Sequence, residues 1–419
     1  MLKIGIVGVG TVGASVIKIL QDNKEIITAR AGVELRVTKG VVKNLNKKRE
    51  TDIVLSTNPD DILDDKDIDI VVELMGGVDE AKKIVTKALK NKKNVVTANK
   101  ALLAYHRYEL EALCKGNTLA YEASVAGGIP IIQALKNGLG ANHIKSIRGI
   151  INGTCNYMLT KMTNEGVAFE KVLKEAQELG YAEADPTFDI GGFDAAHKLL
   201  ILASIAYGID VKPEDILIEG IGDISQEDIL FAKEFGFVIK HLGIAKTVGN
   251  SVSLRVHAAF IDKNEMIAKI DGVMNGISVV GDKVGETMYY GPGAGGNATA
   301  SAVVADLIDI ARGTSNGPVF GFKKSLEQGL KLAKKDDITS RYYIRFEVED
   351  KIGVLEKIAS LMAKFNISIE TFLQKSKKET ATLLFVTHTA KEVDIQNALK
   401  AIKSLDFIKS KPVMIRIED

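Results

Sequence analysis

Tryptophan is absent from this sequence, cysteine occurs only twice, and there is no run of about 20 apolar residues. Cys114 and Cys155 can build neither a disulfide framework nor a metal-spacing motif, which fits a reducing cytoplasm. Without a long apolar run, no helix is expected to span a bilayer. Charge of one sign is not in excess either: 55 Lys and Arg face 54 Asp and Glu, a formal net charge of +1. Such a balanced surface attracts neither nucleic acid nor a membrane, so neither is expected as a partner. The start, Met-Leu-Lys-Ile-Gly-Ile-Val-Gly, passes straight into a strand pattern and leaves no room for a signal peptide.

What is present is a globular chain, 46% hydrophobic, whose 419 residues exceed what one core organises. Lys3 to Val7 is a short β-rich run. It leads into Gly8-Val9-Gly10-Thr11-Val12-Gly13 and then a helical pattern from Ala14 to Leu20. This G-x-G-x-x-G lies between strand and helix, where the glycines allow a tight turn and the helix amino terminus faces a pyrophosphate. Glu34 has the separation of an acidic ribose ligand but opens the second strand, Leu35 to Val42, so it lies at the wrong end of the sheet. That strand exits into Lys43-Asn44-Leu45-Asn46-Lys47-Lys48-Arg49, which offers cations and no carboxylate. A 2′-phosphate, hence NADP(H), is favoured over NAD(H), though a solvated lysine-rich loop would read the same way.

Strands follow at Ile53 to Leu55, Asp69 to Glu73, Asn94 to Thr97 and Thr118 to Glu122, alternating with helical stretches at Ala81 to Leu89 and Leu103 to Cys114. The alternation predicts a Rossmann-type α/β fold, a doubly wound parallel sheet over residues 1–130. Ligands bind such sheets beyond the carboxyl ends of the strands, which draws attention to Thr97-Ala98-Asn99-Lys100 and to Glu122 through Pro130. Lys100 is either a cofactor-facing cation or a helix-start lysine in water.

Residues 131–316 have the texture of a second, α+β domain, with 295–316 able to pack back on the first. A helix at Ile131 to Leu139 and strands at Ile147 to Ile151, Phe237 to Ile244 and Val252 to Phe260 are expected. From Gly180 to Lys198 the chain reads G-Y-A-E-A-D-P-T-F-D-I-G-G-F-D-A-A-H-K. Pro186, Gly191 and Gly192 break its acid-rich first part, and an apolar helix then carries Asp194 and Lys198 on one face. This is either a site for a small cationic substrate or a surface loop with a routine ion pair. Gly291-Pro292-Gly293-Ala294-Gly295-Gly296, before the helix Ala298 to Ala311, is a structural turn or a second approach to the cofactor.

A polar linker, 317–340, precedes a β-α-β-β-α-β succession over 341–419: strand Tyr342 to Val348, helix Gly353 to Lys364, strands Ile367 to Gln374 and Thr380 to Thr387, helix Val393 to Ile402, strand Ile408 to Ile415. That is the ferredoxin-like order. Asp350 and Gly353, at its first strand-to-helix turn, suit either an amino-acid ligand or a capped helix start.

Taken together, the motifs resemble homoserine dehydrogenase with a carboxyl-terminal ACT domain, along essentially the whole chain. They are Gly8 to Gly13, T-A-N-K at 97–100, E-A-S-V-A-G-G-I-P at 122–130, G-T-C-N-Y at 153–157, and E-A-D-P with D-A-A-H-K across 183–198. The resemblance implies NAD(P)-dependent interconversion of L-homoserine and L-aspartate 4-semialdehyde, on the route to threonine, methionine and isoleucine. It implies Lys198 as proton donor with Lys100 beside it, and Glu183 and Asp194 as substrate ligands. It places Gly8, Gly10, Thr11, Val12, Gly13, Lys43, Lys100, Gly180 and Gly295 on the cofactor, and Glu122, Val125, Gly127 and Ile129 around Na⁺. It also implies threonine as an effector through Asp350 and Gly353, and a homodimer or homotetramer in the cytoplasm. Asp185 and Asp189 receive no role. The competing readings are another NAD(P)-dependent amino-acid dehydrogenase and a non-catalytic dinucleotide-binding regulator.

Overall fold

In the computed structural model, which describes residues 1–418 except 50, 315–316, 325 and 327–328, the chain divides into two compact units. The first comprises Met1–Gly153, Asp194–Asp215 and Val273–Leu330, the second Thr154–Phe193, Ile216–Gly272 and Lys331–Asp419. The expected boundary at Asn316, and Ser325, Glu327 and Gln328 of the expected linker, lie outside the described residues.

In the first unit, strands β1 (Leu2–Val7), β2 (Leu35–Val41), β3 (Val54–Ser56), β4 (Ile70–Glu73), β5 (Asn94–Thr97) and β6 (Leu119–Ala120) form one sheet in the order β3-β2-β1-β4-β5-β6. Every pairing in it is parallel. The central strands are apolar on both faces, as a sheet covered by helices on both sides requires. Ile4, Ile6, Ile70 and Val72 pack in one cluster with Val16, Ile17 and Leu20 of helix α1 (Thr11–Asp22). These three helical residues recur at helical spacing, so one stripe of α1 is buried. Strands β7 (Ile144–Ile150), β8 (Met274–Gly281) and β9 (Gly285–Pro292) pair antiparallel in the order β9-β8-β7.

Two elements differ from expectation. The strand expected over Thr118 to Glu122 stops at Ala120 and turns into a 3₁₀ segment, Glu122–Ser124. The Glu122 amide donates to Asp306 Oδ2 (2.9 Å) instead of to a neighbouring strand, which draws the backbone out of the ladder. The helix expected over Ile131 to Leu139 is a short α-turn, Ile131–Gln133, continuing as a π-helix, Ala134–Gly138. In this widened turn Gln133 Nε2 reaches Asp309 (2.8 Å) and Lys136 Nζ lies 5.7 Å from the centre of the Tyr121 ring.

In the second unit, Phe237–Val248 and Ser251–Asp262 form a long hairpin. The carboxyl-terminal β-α-β-β-α-β is present. Its last strand is Val413–Glu418, later than expected, because Pro412 has no N–H to give and pairing begins after it. This strand runs antiparallel to Thr339–Glu349 and also parallel to Ser251–Asp262, with Ala259 opposite Arg416. Lys335–Asp337 of the polar linker folds as a short 3₁₀ turn. Arg416 is wholly buried and chelates two carboxylates: Nη1 to Glu219 at 2.6 Å, Nη2 to Glu392 at 2.6 Å and Nε to Glu392 at 2.9 Å. Replacing Arg416 by Met leaves Glu392 buried without its partner. Urea denaturation of Arg416→Met is expected to show a loss of about 3–5 kcal/mol relative to wild type; an unchanged midpoint would contradict this role.

Candidate functional site

The Gly8 to Gly13 turn joins β1 to α1 as its spacing requires. Gly8 has φ +106°, and a side chain there would meet the Leu74 carbonyl at 2.7 Å. A Cβ on Gly13 would lie 2.5 Å from the Gly8 oxygen. Beyond the turn opens a cavity of about 370 Å³ bounded by Gly8, Gly10, Lys43, Arg49 and Met75. Arg49 is anchored over the turn by Nε donating to the Val9 carbonyl (3.0 Å), while Lys43 is exposed at the rim. Glu34 is spent on Lys24 (2.8 Å) at the opposite end of β2, as its sequence position indicated. The second glycine run approaches the same turn. Gly295 has φ +113° and starts helix α4, Gly296–Arg312. A Cβ on Gly296 would meet Ser15 Oγ at 2.8 Å and Thr11 Cγ2 at 3.1 Å.

Lys100 is the first residue of helix α2, Lys100–Glu111, whose amino terminus is capped by Asn99 accepting from the Leu102 amide (3.0 Å). Asp194 and Lys198 lie in the first turns of helix α3, Phe193–Tyr207. The fold brings all three together. Asp194 Oδ2 accepts from Lys198 Nζ at 2.8 Å and from Asn152 Nδ2 at 2.9 Å, and its Oδ1 lies 3.2 Å from Lys100 Nζ. Lys198 also donates to the Ile151 carbonyl at 2.7 Å. Burial alone would raise the Asp194 carboxyl, yet the Lys198 and Lys100 ammonium groups outweigh it and hold the carboxyl well below the usual range. Its place in the first turn of a helix favours the anion further. The result is one ionised carboxylate between two cations, with Lys198 largely buried and Lys100 about one-third exposed.

At Glu122 to Pro130, Ala126 and Gly127 are both left-handed, each at φ +54°, which reverses the chain. A Cβ on Gly127 would meet the Gly293 carbonyl at 2.7 Å. Both Glu122 oxygens face backbone amides, Ile132 N at 2.9 Å and Gln133 N at 2.8 Å, and the Ile129 carbonyl accepts from the Ile131 amide (2.8 Å). One carboxylate with the carbonyls of Val125, Gly127 and Ile129 is an all-oxygen donor set. Its chemistry suits a hard cation of low charge.

Gly180 and Glu183 belong to the second unit. Gly180 (φ +76°) ends the helix Phe169–Glu178, and Glu183 is exposed, with its carbonyl accepting from Gln177 Nε2 at 3.1 Å. Asp185 now has a structural role, since Oδ1 accepts from the Thr187 amide (3.1 Å) and starts the short helix Thr187–Ile190. Asp350 Oδ1 accepts from Gln374 (3.3 Å), and Gly353, at φ +85°, precedes the helix Val354–Lys364. Three residues escaped the sequence reading as site components. Asn152 holds Asp194, and Arg49 covers the glycine turn. Glu73, fully buried at the end of β4, accepts from Thr97 Oγ1 at 2.7 Å and supports the turn before Lys100. Arg49 lay within the cation-rich stretch after β2, and Asn152 directly precedes the G-T-C-N-Y motif; Glu73 read only as a strand end.

Family models match in the order of the fold: the homoserine dehydrogenase NAD-binding domain at residues 8–122, homoserine dehydrogenase at 130–308 and an ACT domain at 342–407. The homoserine dehydrogenase of Helicobacter pylori is 52% identical over 420 residues, covering 100% of this chain and 99% of that protein. The chain belongs to the homoserine dehydrogenase family. The crystal structure of a homoserine dehydrogenase from Thiobacillus denitrificans superposes with a TM-score of 0.94 at 45% identity, covering 100% of this chain and 98% of that one. A hyperthermophilic archaeal homoserine dehydrogenase in complex with NADPH matches with a TM-score of 0.62 at 27% identity, over 74% of this chain and 97% of that one. This chain is therefore an oxidoreductase acting on a CH–OH group, with a nicotinamide dinucleotide as cofactor and L-homoserine and L-aspartate 4-semialdehyde as its reactant pair. No described helix is long and apolar enough to cross a membrane.

Burial pushes the Glu122 carboxyl from 4.5 up to about 7, against the opposing amides of Gln133 and Ile132. The folded value exceeds the unfolded one, so the contribution to stability is fully present below pH 4.5 and is lost as pH rises through 7. Denaturation midpoints taken between pH 5 and 7.5 without Na⁺ are expected to fall with pH, by at most about 1.4 kcal/mol per unit from this group. Glu122→Gln is expected to flatten that slope; an unaltered slope would contradict the assignment.

Proposed function

We propose that Lys198 is the proton donor and acceptor of the homoserine dehydrogenase reaction and that Lys100 stabilises the substrate oxygen beside it. The observation that carries this reading is one buried carboxylate, Asp194, with both ammonium groups within 3.2 Å. A bound nicotinamide supplies or accepts the hydride at the carbon being reduced or oxidised. In the reducing direction the Lys198 ammonium gives its proton to the developing alkoxide, and the Lys100 charge stabilises that oxygen. In the oxidising direction neutral Lys198 takes the hydroxyl proton. Asp194 orients both lysines and takes the substrate ammonium. A substrate lacking that amino group leaves charged groups unmatched and binds poorly. Lys198→Ala is expected to lower kcat about a thousandfold, with dinucleotide affinity by fluorescence titration nearly unchanged. Near-wild-type turnover would remove the assignment.

NADPH is the preferred cofactor in this reading. Lys43 and Arg49 at the end of β2 supply cations where a 2′-phosphate would lie, no acidic residue lines that cavity among the described residues, and a related archaeal enzyme is known as an NADPH complex. Gly8, Gly10, Thr11, Val12, Gly13 and Gly295 complete the cofactor contacts. Lys43→Ala is expected to raise the KM for NADPH about tenfold while leaving that for NADH in place, the loss of one charge-assisted hydrogen bond. Equal effects on both cofactors would count against it. The Glu122 turn holds Na⁺ through Glu122 and the carbonyls of Val125, Gly127 and Ile129, and a cation there would keep Glu122 ionised. The ACT domain senses threonine through Asp350 and Gly353, so the same rate assay should show inhibition by L-threonine that Asp350→Ala relieves. The working form is a homodimer or homotetramer, which a single monomeric species in sedimentation would exclude.

A further inference from the structure

Lys100 and Asp194 are contributed by different helices, α2 and α3, and their 3.2 Å contact requires those helices to hold one register. Side chains along the seam have that geometry. Nearest the lysines, the Tyr105 ring of α2 meets the His197 ring of α3 edge to face, with centroids 5.4 Å apart and planes at 82°. Further along, buried Arg107 donates from Nε to Ser204 Oγ at 2.6 Å and from Nη2 to the Val211 carbonyl at 2.7 Å, and Tyr108 donates to the Ile209 carbonyl at 3.0 Å. The Arg107 and Tyr108 contacts pin the far end of α2. The aromatic pair lies between that far end and the end that carries Lys100. His197 is 5% exposed and lies between Asp194 and Lys198 in sequence, on the first turns of α3.

We propose that Tyr105 and His197 form a positioning pair that holds Lys100 in register with Asp194 and so with Lys198. The pair touches neither substrate nor cofactor and acts on the reaction through the two lysines. An edge-to-face aromatic contact suits this task because it fixes both separation and angle between two helices without adding charge. The charged groups that face the pair are Asp194 and Lys100 on the His197 side and Glu214 on the Tyr105 side. Burial carries the imidazole down to about 4, so it is neutral at physiological pH and adds no third positive charge beside Lys100 and Lys198. Small errors in placing a catalytic group are costly to rate, which makes an inter-helix spacer a kinetic component and not only a packing one.

The inference rests on Lys198 and Lys100 being the catalytic lysines, and the test separates the two. In full-length protein, Tyr105→Leu, which removes the ring from a partly exposed position, is expected to lower kcat about tenfold while the KM for homoserine moves by less than about threefold. Tyr105→Phe keeps the ring edge and is expected to retain nearly full kcat. His197→Asn is expected to give the same loss, and the double variant no more than either single one, because both remove one contact. If Lys198→Ala is inactive but Tyr105→Leu keeps wild-type kcat, the positioning pair is wrong and the catalytic assignment stands. If Lys198→Ala is active, the catalytic assignment fails first. A double variant whose losses multiply, or a Tyr105→Phe as slow as Tyr105→Leu, also overturns the pair.

Discussion

Asp194 is the point on which the proposed site depends. A carboxylate taken out of water resists ionisation, and here two ammonium groups and the Asn152 amide reverse that resistance. The same contacts work in the other direction. Lys198 is held by Asp194 and the Ile151 carbonyl at the end of β7, and Lys100 is drawn to the site although the start of a helix is an unfavourable place for a cation. Remove the carboxylate and the two lysines would repel each other across a few ångströms. The site is thus a charge triad of one carboxylate and two ammonium groups, assembled before any substrate arrives.

Around that triad the first unit devotes much of its backbone to close approach. The glycine turn after β1, the turn at Gly127 and the run from Gly291 to Gly296 pack on one another through positions where a Cβ would meet backbone or a neighbouring side chain at 2.5–2.8 Å. Gly127 abuts Gly293, while Gly296 abuts Thr11 and Ser15 on α1. The late glycine run is therefore a structural wedge and a neighbour of the dinucleotide turn at once. The two readings left open by its sequence are compatible. In the second unit, chelated arginines play the corresponding part: Arg416 binds the ACT strand Val413–Glu418 to Glu219 and Glu392, and Arg255 of the hairpin holds Glu418 of that strand at 2.7 Å.

Residues whose function depends on local spacing were legible before the fold was known. Glycines spaced for a phosphate turn, an acid and a lysine four apart on a helix, and a β-α-β-β-α-β succession each announce themselves because a few consecutive residues carry the geometry. Asp185 illustrates the limit. It looked like one of several acids in a substrate loop, and its carboxylate accepts from the Thr187 amide two residues on, in the turn that leads into a four-residue helix. Glu122 shows a second limit, since nothing in a strand-like run reveals that a buried aspartate from α4 will take its amide and end the strand.

From the sequence alone came the parallel α/β class, the dinucleotide turn, the carboxyl-terminal ferredoxin-like module and the placing of Asp194 and Lys198 on one helix face, all properties of short-range pattern. Tertiary structure decided the rest: that Lys100 and Asn152, from distant parts of the chain, converge on Asp194, that Glu73 is buried beneath the turn leading to Lys100, and that Arg49 folds back onto Val9. The reason is physical. Charge pairs and buried hydrogen bonds are set by which surfaces meet in three dimensions, and a linear pattern encodes which face a residue occupies without encoding what that face will meet.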